Sequence, residues 1–125
     1  MLVLDSDILI ELLRKGSPRG DEALETLKAL DDDIVTTAIN VHEVQYGLQK
    51  HGKNAPDLMR IRALPYTRKD AVLSANLELH AERVGTPSGR TDAMIAAIAM
   101  NNNAKLYTFN RRHFQAFTEQ GLKLL

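Results

Sequence analysis

The 125 residues predict one α/β domain with a central, mostly parallel sheet of four to five short strands flanked by helices. Three observations carry this. Short apolar runs alternate with segments of helical period along the chain. No linker, repeat or low-complexity tract divides residues 1–125, a length that fits one domain. There is no cysteine, which excludes disulfide scaffolds, thiolate zinc sites, Fe–S clusters and cysteine nucleophiles.

Leu2-Val3-Leu4 is an apolar run suited to a buried parallel strand. Ser6 is placed to cap a helix with Asp7 in its first turn, the end that favours negative charge. Ile8, Leu9, Leu12 and Leu13 continue that helix at the expected spacing, and the Gly16–Gly20 segment breaks it. Residues 21–30 predict a second helix with Ala23, Leu24, Leu27 and Leu30 as its apolar side. Asp31-Asp32-Asp33 turns the chain into the β-branched strand Ile34-Val35-Thr36. Residues 38–50 predict a third helix with Val41, Val44 and Leu48 on one stripe.

Asn54 is placed to cap a helix with Pro56 in its first turn, ending near Ala63. Leu64-Pro65-Tyr66 is short and apolar, and Pro65 restricts it to an edge or a strand end. Residues 69–84 predict a long helix whose apolar positions include Val72, Leu73, Leu77 and Val84. The loop Gly85–Gly89 follows, and then an alanine-rich helix from Asp92 to Asn101 that is apolar enough to be central. Asn102-Asn103 ends it, because asparagine tolerates left-handed geometry. Lys105–Thr108 predicts a strand and Leu122–Leu124 a last edge strand.

Parallel sheets bind ligands at the carboxyl ends of their strands. That rule singles out Asp5 and Ser6, Thr36 and Thr37 leading to Glu43, and Thr108 to Asn110. Asp92 stands apart because it starts a helix. Asp5 ends a buried strand, where ionisation is costly unless a cation or donor pairs with it. Glu43 borders the apolar stripe of its helix, and Asp92 is the single acid of an almost wholly apolar one. Each has an ordinary structural reading as a cap, a solvated charge or a dipole partner. Together they have the composition of a hard-cation site suited to Mg²⁺ or Mn²⁺. His42, His51, His80 and His113 lack metal-ligand spacing, and neither a Gly-rich phosphate loop nor a Gly-x-Ser-x-Gly elbow occurs.

The 16 Lys and Arg balance the 16 Asp and Glu, and zero net charge does not point to nucleic acid. The distribution is uneven. Residues 1–43 hold ten acids and four bases, net −6; residues 44–125 hold six acids and twelve bases, net +6. Chance and an acidic site facing a basic substrate surface both account for this. Met1 to Leu4 is too short for a secretory signal, and no apolar stretch approaches the ~20 residues of a membrane helix. The expectation is a soluble, cytoplasmic protein with no membrane contact.

Four blocks carry a resemblance over nearly the whole chain. They are Leu2 to Ile10, with Asp5 ending the first strand; Thr37 to Leu48, with Glu43 four residues before Gly47; Pro87 to Ala99, a proline/glycine loop with Asp-x-x-Ile-Ala-Ala; and Leu106 to Phe114. In this order and spacing the chain resembles PIN-domain ribonucleases, and among them VapC-type toxins of toxin–antitoxin systems.

The resemblance implies hydrolysis of RNA phosphodiesters by a metal-activated water, leaving a 5′-phosphate and a 3′-hydroxyl. Asp5, Glu43 and Asp92 would hold Mg²⁺ or Mn²⁺, with Ser6 and Thr108 orienting carboxylates. Asn110 departs from the pattern, since many members carry a fourth acid there; it would hold a water or orient a neighbour. Asp7 replaces a more usual serine or asparagine and takes a helix first-turn role, with a spare ligand as the other reading. Implied partners are a small antitoxin, whose inserted arginine or lysine would neutralise the acids, and a second copy in a homodimer. DNA contact would come only through the antitoxin.

Arg90, Arg111 and Arg112 are expected near the acids, where their forked donors suit RNA phosphates, and Arg14, Lys15 and Arg19 flank the first loop, where they would extend the groove, with ordinary solvated surface charge as the other reading of each. Tyr46 and Phe109 are candidates to stack on bases, while Phe114 is expected in the core. Two other functions remain open. One is a PIN fold that binds without cleaving. The other is a haloacid-dehalogenase-type phosphatase, because Leu4-Asp5-Ser6-Asp7 resembles its Asp-x-Asp. Against the latter, Ile8 stands where that family has glycine, and no acid pair follows the later strands.

Overall fold

A computed structural model describes residues 1–86 and 88–125. Pro87, part of the expected loop and of the third block, lies outside the described residues. The strands are β1 (Leu2–Leu4), β2 (Ile34–Thr37), β3 (Ala63–Leu64), β4 (Lys105–Tyr107) and β5 (Lys123–Leu124). They form one sheet in the order β3-β2-β1-β4-β5, with every pairing parallel. Helices α1 (Ser6–Leu13), α2 (Pro18–Lys28), α3 (Ala38–Lys50), α4 (Arg68–Arg83), α5 (Arg90–Asn101) and α6 (Gln115–Thr118) connect and cover it. The predicted α/β class and parallel sheet are both found.

Alternation within β1 sets the two layers. Leu2 and Leu4 face one core with Ile8, Leu9, Ala23, Val44 and Leu58. Val3 faces the other with Leu77, Ile95, Ile98, Leu106, Phe114 and Phe117. Each large apolar side chain so buried contributes on the order of 1.5–3 kcal/mol. Phe114 is in the core as expected, meeting Phe117 edge-on at 6.2 Å. α5 is buried along Ala93 and Ile95 to Ala99, which explains its uniform apolarity. Asn103 has φ +52°, the left-handed residue that takes the chain from α5 to β4.

Several elements differ from expectation. Asp5, not Ser6, caps α1: its carboxylate accepts the Ser6 N–H at 2.8 Å, and Ser6 is already helical. α2 starts at Pro18, because Ser17 caps it through the Gly20 N–H and proline fits the first turn. The helix expected after Asn54 is a single 3₁₀ turn, Pro56–Arg60, with no side-chain cap. It buries only Leu58, too little to extend it. Leu24, Val72 and Val84 are exposed rather than core, since α2 and α4 each bury a narrower stripe than their composition offers. β3 and β5 hold the sheet edges, as Pro65 and the short C-terminal run predicted. Among the described residues, no helix is long and apolar enough to cross a membrane.

Candidate active site

The strand order reverses about β1, since the chain lays β2 and β3 on one side of it and β4 and β5 on the other. A crevice therefore opens beyond the carboxyl ends of β1 and β4, where the chain leaves in two directions. Asp5 follows β1 there, and Thr108 follows β4.

Asp5 is 7% exposed and satisfied on both oxygens. Oδ1 accepts from the Ser6 N–H at 2.8 Å and from Asn40 Nδ2 at 3.1 Å. Oδ2 accepts the Thr108 hydroxyl at 2.7 Å. Burial pushes its pKa up to about 6; the Thr108 bond opposes this, while the charges of Asp7 and Asp92 add to it. Asp7 lies one residue into α1. Its carboxylate accepts the Ile8 N–H at 2.8 Å and, across the crevice, the Phe109 N–H at 3.1 Å. Burial raises its pKa as well. The expected first-turn role of Asp7 is present, joined to a second one that ties α1 to the end of β4.

Glu43, in the second turn of α3, accepts from Ser6 Oγ at 2.7 Å and from Thr91 Oγ1 at 3.2 Å. It thus spans from α1 to α5. Asp92 stands in the first turn of α5, where its Oδ2 accepts the Gly89 N–H at 3.0 Å and lies 3.6 Å from His113 Nδ1. Asn110 donates its backbone N–H to Thr108 Oγ1 at 3.0 Å, and its amide nitrogen is 2.9 Å from His113 Nδ1. Asp5, Glu43, Asp92, Asn110, Ser6 and Thr108 therefore belong to one polar network around the crevice.

Three members were not singled out from the sequence. Asn40 is fully buried, and Thr37 fixes its amide by donating to Oδ1 at 2.7 Å. Its Nδ2 is then aimed at both Asp5 and Ser6 Oγ, the latter at 3.0 Å. Its signal was a polar residue three positions before Glu43, hence on the same helix face. Thr91 adjoins Asp92, and His113 follows Asn110 by one helical turn.

The arginines divide. Arg90 Nε bonds Glu78 at 2.8 Å, which turns it toward α4. Arg111 donates to the Leu125 carbonyl oxygen at 2.5 Å. Arg112 is exposed beside the Asn110 turn. Arg14 is 3.5 Å from Glu11, and Arg19 lies over the Phe109 ring.

Among the described residues, no three acidic or histidine side chains stand close enough to cage an ion as they are. The donor chemistry nevertheless fits one. Asp7 and Asp92 lie near enough to act on Asp5 by charge, Glu43 joins them through Ser6, and among the described residues the ion pair to any of these four is His113 with Asp92. The charges of Asp7 and Asp92 add to the rise that burial imposes on Asp5. Hard oxygen donors of this kind suit a divalent ion that keeps part of its water shell.

Comparison with known proteins identifies the fold. Ribonuclease VapC2 of Rickettsia felis is 28% identical over 120 residues, covering 90% of this chain and 89% of the relative. The crystal structure of FitAcB from Neisseria gonorrhoeae superimposes with a TM-score of 0.82 at 22% identity, over 100% of this chain and 96% of that one. VapBC2 from Rickettsia felis, bound to a DNA fragment from its promoter, gives 0.77 at 25% identity, over 99% and 96%. VapC20 of Mycobacterium tuberculosis, a sarcin-ricin loop cleaving toxin, gives 0.74 at 13% identity, over 100% and 98%. The PIN domain family model matches residues 2–119, so the chain belongs to the PIN domain family.

Proposed function

We propose that this chain is a metal-dependent ribonuclease, the toxin of a type II toxin–antitoxin pair, hydrolysing RNA phosphodiesters. The observation that carries the reading is the buried Asp5 carboxylate at the sheet's reversal point, acted on by the charges of Asp7 and Asp92 and joined to Glu43 through Ser6. The likeness to a VapC ribonuclease and to toxin–antitoxin complexes supports it.

Asp5, Glu43 and Asp92 would hold Mg²⁺ or Mn²⁺. When bound, the ion supplies charge for the scissile phosphate and a lowered pKa for the attacking water. The chain's own residues do the rest. Thr108 and Asn40 lock the Asp5 plane by donating to opposite oxygens. Ser6 and Thr91 hold Glu43 at the rim of the crevice. Asn110, kept beside Thr108 and His113, would orient a water by its amide. Asp7 adds negative charge without leaving its backbone donors.

A small antitoxin would inhibit by covering these acids and inserting a basic side chain, and operator DNA would be contacted through it. A homodimer completes the reading. The test is cleavage of RNA by purified protein. Cleavage is expected with Mg²⁺ or Mn²⁺, and neither in EDTA nor in Asp92→Asn of unchanged thermal midpoint. Cleavage that persists in EDTA or in that variant overturns the proposal.

A further inference from the structure

Arg19 occupies the first turn of α2, the end of a helix where a positive charge opposes the backbone dipole. An acid suits that position, and Asp21 supplies one two residues on. The guanidinium of Arg19 lies over the Phe109 ring, 4.1 Å from its centroid. Phe109 is itself fixed. Its N–H is bonded to Asp7, its ring meets Tyr107 edge-on at 6.0 Å, and it packs against the apolar layer under α1 and α3. Its chain neighbours are Thr108, which bonds Asp5, and Asn110. On the other side, α2 is pinned to α1 by the Ser17–Glu11 hydrogen bond and by the close approach of Gly20 to the Glu11 carbonyl. Both partners are therefore held at a set position on the rim of the crevice.

A guanidinium offers a face and an edge. Its N–H donors lie in the plane, so stacking on an aromatic ring leaves them available, whereas an ion pair consumes them. Arg90 spends its Nε–H on Glu78, and that acid fixes where its guanidinium lies. Arg19 is the opposite: among the described residues it has an aromatic partner and no acidic one. Arg19 is exposed, and the ring that it covers belongs to the residue just before Asn110.

We propose that Arg19 is a phosphate-positioning residue. Stacked on Phe109, it presents its edge to a backbone phosphate of single-stranded RNA lying past Asn110 toward Asp5. This rests on the ribonuclease reading above and adds the residue that sets the strand's register.

The probe is a short fluorescein-labelled single-stranded RNA of mixed sequence. Its binding to the Asp92→Asn chain is followed by anisotropy across salt concentrations. Adding Arg19→Gln is expected to weaken binding about three- to tenfold at low salt. It is also expected to flatten the slope of log K against log salt by about 0.7, one phosphate contact on a single strand. Arg19→Lys keeps most of the slope with weaker binding, because it keeps the charge and loses the fork. Phe109→Leu likewise keeps the slope while weakening binding. In the chain with Asp92 intact, Arg19→Gln raises KM far more than it lowers kcat. A slope unmoved in Arg19→Gln at unchanged thermal midpoint overturns the proposal, as does binding indifferent to both Arg19→Lys and Phe109→Leu. If the parent chain cleaves no RNA, the ribonuclease reading fails and this inference with it; if it cleaves and the slope is unmoved, only the role of Arg19 fails.

Discussion

Replacing Asp5 with asparagine should make the metal-free protein more stable while abolishing cleavage. Asp5 is raised from 3.8 to about 6, so its folded value lies above its unfolded one. Between about pH 4 and 6 the folded state binds the extra proton. Stability contributed by protonated Asp5 is full below that window and is lost as the pH rises through it. At pH 8 the charged carboxylate therefore costs about 3 kcal/mol relative to a neutral group, at about 1.36 kcal/mol per pKa unit. Asparagine keeps the shape and an oxygen for Ser6 N–H and Asn40. The Thr108 hydroxyl, released from Oδ2, has Asp7 Oδ2 at 3.4 Å as its next acceptor.

The assay is chemical denaturation of parent and Asp5→Asn in EDTA at pH 8 and near pH 4. The variant should gain about 2–3 kcal/mol at pH 8, and the gain should shrink toward zero at low pH. Added Mg²⁺ should reverse the order. An ion at a thousand times its Kd stabilises the folded parent by about 4.1 kcal/mol, more than the variant's lead, and a variant with a poorer site gains less. A variant no more stable than the parent at pH 8, or a gain that does not fall as the pH is lowered, refutes the argument that burial of the Asp5 charge outweighs its hydrogen bonds.

Other perturbations separate the scaffold from the site. Gly20→Ala would place its Cβ 2.2 Å from the Glu11 carbonyl oxygen, so α1 and α2 must part; a loss of about 1–3 kcal/mol in denaturation is expected. Gly47→Ala meets nothing within 4 Å and should gain about 0.5–1 kcal/mol in the same assay, as alanine replaces glycine inside α3. Asn40→Ala removes a donor from both Asp5 and Ser6 and should cost about 1–3 kcal/mol, with Asp5 titrating higher by NMR. Thr108→Val should lower cleavage roughly 10- to 100-fold, as loss of a ligand-orienting bond does. It should also move the acid limb of the pH–rate profile to higher pH, since the bond it removes is what most opposes the rise of Asp5.

The sheet was legible because its strands are short and uninterrupted. Leu2–Leu4 and Ile34–Thr36 have no period to misread, and their partners on both faces are helices with clear apolar positions. Boundaries moved where a local bond outweighed periodicity. Ser17 reaches the Gly20 N–H and starts α2 inside what reads as a glycine-rich break. The acid at the strand end takes the cap expected of Ser6. Exposed Val72 and Leu24 were misread because an apolar residue at helical spacing says that a face exists, not how wide the neighbouring layer is.

The candidate site was legible in its acids and not in their support. A carboxylate at the end of a buried strand is anomalous by itself, so Asp5 stands out before any geometry is known. Asn40 does not, because a neutral amide on a helix has many uses. Its role appears only when α3 is laid against α1 and Thr37 fixes which way the amide points. Arg90 shows the converse. Two residues from Asp92 in sequence, it is turned by one helical step toward Glu78, while Arg19, far away along the chain, reaches Phe109 beside the crevice. Proximity along the chain locates an acid well, because the backbone fixes a short side chain. It locates an arginine poorly, because a long side chain goes to whichever partner lies within its reach, and only the fold says which partners those are.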